Sequence, residues 1–62
     1  MYGAKTYEVW ICGRWEGADW DLANHSKTYG DAKRRAIEWT EKGFKAAVFD
    51  SGRHILEIIP HD

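Results

Sequence analysis

The sequence predicts an α+β fold: an antiparallel sheet of about four strands with one helix packed on one face, in the order ββαββ. Three observations carry this. Polar and apolar residues alternate over residues 6–12, which is the period of a half-buried strand. ThrTyrGlyAsp at 28–31 has the form of a capping box and opens a helical pattern that stops at Gly43. Two apolar runs, 44–49 and 54–59, flank AspSerGlyArg at 50–53, as a hairpin requires.

In the first strand Tyr7, Val9 and Ile11 fall on one face, and Thr6, Glu8, Trp10 and Cys12 on the other. GluGlyAla at 16–18 turns the chain into a second, weaker strand through Trp20, Leu22 and Asn24, with Trp15 and Trp20 facing each other across the turn. The helix begins near Tyr29 and runs to Lys42. At 100° per residue, Tyr29, Ala32, Ala36, Trp39 and Thr40 form its apolar stripe, with Ile37 at the edge. Its polar side pairs Asp31 with Arg35, Arg34 with Glu38 and Glu38 with Lys42 at i,i+4 spacing, which partly neutralises the basic run Lys33–Arg35. Pro60 closes the last strand.

Sixty-two residues make a single domain, 1–62. A chain of that length buries only about 60% of the surface its unfolded form exposes, so its stability margin is thin and self-association is a common remedy. Cys12 is the one cysteine, which excludes an internal disulfide and fits a reducing compartment. MYGAKTYEVW lacks the basic start and apolar run of a secretory signal, and no stretch approaches the length of a membrane span. The expected location is the cytoplasm, without membrane contact. The formal net charge of -1 gives no global field to gather a polyanion.

Alternation also places apolar residues on both faces of the sheet. With Phe44, Ala46, Val48, Leu56 and Ile58 turned toward the helix, Ala47, Phe49, Ile55 and Ile59 turn away from it, joined by Trp10. One helix covers one face. An apolar collection of this size exceeds what soluble monomers leave in water, so Trp10, Ala47, Phe49, Ile55 and Ile59 are expected to form a self-association surface.

No catalytic constellation stands out among the acids and hydroxyls, so an enzyme is not expected. His25, His54, His61 and Cys12 lack the close spacings of zinc ligands, and GxGxxG and GxxxxGK[ST] are absent; no metal or cofactor is expected. Trp15 and Trp20, with Arg14, Lys27 or Arg53, are the candidate residues for a partner or ligand: indoles to stack on a planar base, guanidinium to meet phosphate. A basic helix face also admits a weak nucleic-acid reading through Lys33, Arg34 and Arg35, against which stands a pI near 6.3.

TyrGlyAspAla at 29–32, GlyPheLysAlaAlaValPheAsp at 43–50, a glycine-containing turn and IleLeuGluIle resemble in layout small phage- or prophage-encoded accessory proteins, in which a strand pair precedes a capped helix and a final hairpin. The resemblance covers the second half of the chain. It implies a host-interaction protein that inhibits a defence component by binding a host protein, or one that sequesters a small nucleotide, acting in the host-cell cytoplasm.

Overall fold

A computed structural model describes residues 6–60; His61 lies outside them. The chain runs β1 (Tyr7–Cys12), β2 (Trp20–Ser26), α1 (Tyr29–Glu41), β3 (Lys45–Asp50) and β4 (Ile55–Ile59). The strands form one antiparallel sheet in the order β2-β1-β3-β4, with α1 across one face. This is the expected ββαββ architecture. Among the described residues no helix is long and apolar enough to cross a membrane.

The helix starts and stops where its caps dictate. Thr28 has extended backbone, and its hydroxyl accepts the Asp31 amide at 3.1 Å, satisfying a donor that the first turn leaves open. The capping box is only half made, because the Asp31 carboxylate turns to Arg34 at 2.7 Å and Arg35 at 3.0 Å. Arg34 thus pairs three residues back, where sequence spacing predicts Glu38; Lys42 caps the helix and lays its ammonium over the Trp39 ring at 4.8 Å. Gly43 follows at φ 100°, a left-handed conformation in which a Cβ is strained.

Val9, Ala32, Ala36, Ala46, Val48 and Ile59 form the core, with Tyr7, Ile11 and Trp39 packed against it. Two alanines on the helix and one on β3 bring helix and sheet backbones close. Phe44 meets the Trp39 ring edge-to-face at 5.4 Å, and Trp39 Nε1–H donates to Asn24 Oδ1 at 2.8 Å.

Two bulges explain where the strand phase departs from simple alternation. Val9 pairs with Asn24 but Trp10 with Leu22, so Ala23 is the extra residue in β2. Asn24 thereby turns to the helix while Trp20 and Leu22 stay on the opposite face. In β4, Val48 pairs with Glu57 but Phe49 with Ile55, which makes Leu56 the extra residue. Ile59 was expected on the helix-free face and Ile58 on the helix side; the structure reverses both. Ile59 pairs with Ala46 and is 7% exposed in the core, whereas Ile58 pairs with Ala47 and is 60% exposed. The physical reason is the bulge: the extra residue at Leu56 shifts the strand by one position after Ile55, so Ile59 enters the core and Glu57 turns to the helix side, where it accepts the Tyr29 hydroxyl and pairs with Lys33 at 3.3 Å. A strand with apolar residues on both sides does not fix its phase by pattern alone.

Candidate functional site

Register alone arranges the helix-free face into three rows that cross the strands. The first holds His25, Glu8, Phe49 and Ile55; the second Leu22, Trp10, Ala47 and Ile58; the third Trp20, Cys12 and Lys45. Residues paired across antiparallel strands share a face. The second row is apolar from one sheet edge to the other. Ile55 and Ile58 on β4, and Trp20 and Leu22 on β2, are all exposed.

The middle of the face covers itself in part. Trp10 and Phe49 are half-buried against each other, ring centres 5.9 Å apart. Ala47 between the long side chains is nearly inaccessible. Over Trp10 lies the guanidinium of Arg53, 5.5 Å from the ring centre. Arg53 comes from the turn between β3 and β4 and adopts φ 65°, a left-handed conformation that costs a non-glycine residue of order 1–3 kcal/mol.

Beneath Arg53 lies Glu8, whose side chain is 10% exposed. Trp10 Nε1–H donates to Glu8 Oε1 at 2.9 Å. The Arg53 guanidinium and the His25 imidazole stand near the same carboxylate without hydrogen-bonding to it: Arg53 Nε at 3.8 Å from Oε1 and His25 Nε2 at 3.6 Å from Oε2. Both distances exceed the range of an N–H···O bond. A carboxylate offers about four lone-pair directions; among the described residues the Trp10 indole takes one of them.

The remaining candidate residues are dispersed. Trp15 is 66% exposed, its ring lying over Gly13, where an added Cβ would come within 2.1 Å of it. It does not face Trp20, which stands opposite Cys12. Arg14 and Trp15 belong to the β1–β2 turn, which Cys12 Sγ–H helps to hold by donating to the Ala18 carbonyl at 3.5 Å. Lys27 and Arg53 lie at the other end of the sheet, beyond the Tyr7–Ser26 and Tyr7–Asp50 pairs. One chain therefore does not assemble Trp15, Trp20, Arg14, Lys27 and Arg53 into a single pocket. A half-open hollow of about 250 Å³, lined by Thr6, Tyr7, Asp50, Ser51 and Leu56, falls below the roughly 300–1,000 Å³ of small-molecule sites.

Each member of the basic triplet on the helix has an acid beside it, Lys33 with Glu57 and both arginines with Asp31. Hydrogen bonds from Arg34 first, then Arg35, hold the Asp31 carboxyl at about 2, below its ordinary 3.8. The Tyr29 hydroxyl lowers Glu57 and is itself raised by that bond. These groups stabilise the fold on the helix side.

Residue patterning gave no role to Glu8 or His25. The available signal was phase: Glu8 shares its face with Trp10 and Cys12, an acid in mid-strand next to an indole. No family model, curated protein or solved structure matches the chain.

Proposed function

We propose that this chain is a small non-enzymatic binding protein that pairs with a second copy through its helix-free sheet face and leaves the Arg14–Trp15 turn free for a target. The observation that carries the reading is the apolar row Leu22–Trp10–Ala47–Ile58, bordered by Trp20, Phe49 and Ile55, with no element of the described chain laid over it. Such a surface is larger than single scattered apolar residues. It also spans the whole sheet, so one flat partner of the same width covers it.

Size sets the strength of the pair. Strands about 4.8 Å apart and residues rising about 3.3 Å make a four-stranded face roughly 20 Å square, on the order of 400 Å². That is about half of the ~800 Å² per partner of a standard stable interface. An interface at the small end of the range is expected to form in a concentration-dependent way. A face-to-face geometry also agrees with the edges, since bulges in β2 and β4 and Pro60 after β4 discourage strand addition. A host-protein target, bound without chemistry, is the setting that the second-half layout suggests.

Sedimentation velocity tests the pairing. Ile58→Glu places a charge at the β4 end of the apolar row and leaves the core intact, so the variant is expected to remain monomeric at concentrations where the native chain self-associates. Native-like self-association by folded Ile58→Glu and Ile55→Glu would remove the proposal.

A further inference from the structure

The proposed pairing leaves open what fills the Glu8 carboxylate, and the chain's own Arg53 indicates the chemistry. Trp10 supplies an aromatic face, Glu8 a nearly buried negative charge and Phe49 a second ring beside them. This is a guanidinium seat: a planar cation stacks on indole and hydrogen-bonds to carboxylate in a forked geometry. Arg53 occupies it imperfectly. Its backbone is left-handed, its Nε stops 3.8 Å from Glu8, and its side chain is 68% exposed. A tether through a four-residue turn brings the cation over the ring but not into hydrogen-bond contact.

We infer that the seat is completed by the Arg53 of a second copy, the two arms being exchanged across a two-fold axis. This rests on the pairing proposed above and specifies its geometry. The sheet order β2-β1-β3-β4 puts the midline between β1 and β3. Rotating a copy by half a turn about an axis along that midline lays β1 on the partner's β3 and β2 on the partner's β4, and keeps each row on itself. Trp10 then lies over the partner's Ala47, a large side chain above a small one, and Leu22 lies over the partner's Ile58. The β3–β4 turn is at the same end of the sheet as Glu8 and His25. The rotation therefore brings the partner's Arg53 above Glu8 from the facing side, free of the tether that limits the internal contact. An isologous interface makes the exchange twice.

Two variants and one mixture test this by sedimentation, with circular dichroism as the check on folding. Arg53→Gly removes the arm at a position whose backbone is already left-handed, which glycine adopts freely; the variant is expected to stay folded while self-association weakens at least roughly tenfold. Arg53→Glu and Glu8→Arg should each be monomeric alone, and an equimolar mixture should recover a heterodimer, because each supplies the charge the other lacks. Arg53→Gly that self-associates like the native chain, or a mixture of two folded variants that stays monomeric, would overturn the exchange while leaving the paired face standing. Should Glu8→Arg fail to fold, Arg53→Gly decides the question alone. A native chain that is monomeric at millimolar concentration overturns the pairing and the exchange together.

Discussion

At the scale of single residues, Glu8 and Arg53 connect the sheet's chemistry to its surface. A carboxylate in mid-strand is tolerated there because the Trp10 indole donates to it and the Arg53 guanidinium stands nearby; an unpaired buried charge would be far costlier. Removing its acceptor strength should therefore affect more than one neighbour. Glu8→Gln is expected to loosen Trp10 and shift its fluorescence to the red, with a stability loss of about 1–3 kcal/mol in a denaturant titration; an unchanged spectrum and midpoint would show that the carboxylate does not position the indole. Asp31 makes the clearest prediction about acid. Its carboxyl is held at about 2 by Arg34 and Arg35, below the unfolded value near 3.9, so the stability it contributes is present above about pH 4 and is lost as pH falls toward 2. Asp50, lowered chiefly by the His54 amide, and Glu57, lowered chiefly by the Tyr29 hydroxyl, add in the same direction. Thermal melts should therefore drop steadily below about pH 4, and Asp31→Asn should flatten part of that drop.

At the scale of elements, the caps and the bulges divide what was legible from what was not. The helix was readable to within a residue because both of its signals are local: a threonine hydroxyl three residues before an amide it can accept from, and a glycine at the left-handed position that follows. Thr28→Ala should destabilise the chain by about 1 kcal/mol, about 4–8 °C in a domain of this size; a melting temperature within a degree of native would show that the cap carries no weight. The phase of β4 was not readable, since Ile55, Leu56, Ile58 and Ile59 offer apolar side chains to either face. The bulge at Leu56 sets it and brings Glu57 to the helix side beside Tyr29 and Lys33, a contact between residues 28 positions apart in sequence for the tyrosine. Asn24 was likewise assigned by its long-range bond to Trp39. The consequence separates neighbouring isoleucines: Ile59→Glu buries a charge among Val9, Ala46 and the helix alanines and should unfold the protein, whereas Ile58→Glu should leave the fold intact.

For the whole molecule, three tryptophans between residues 10 and 20 serve different ends. Trp10 is a half-buried member of the helix-free face, Trp20 stands exposed at its corner, and Trp15 covers Gly13 outside it. Composition and alternation were enough to show that the sheet has apolar residues on both faces; they did not show that a polar cluster lies in the middle of the uncovered one. Among the described residues the core between helix and sheet is two valines, three alanines and Ile59, and covering the second face adds apolar burial that the helix alone does not supply. The direct measurement is an amide chemical-shift series on the native chain as it is diluted from millimolar to micromolar concentration. Pairing through this face predicts that Trp10, Ala47, Phe49 and Ile58 move together with one dissociation constant while Ala32 and Ala36 stay fixed. Spectra that do not change with concentration, or changes confined to the outer side of the helix around Arg34 and Glu38, would contradict it.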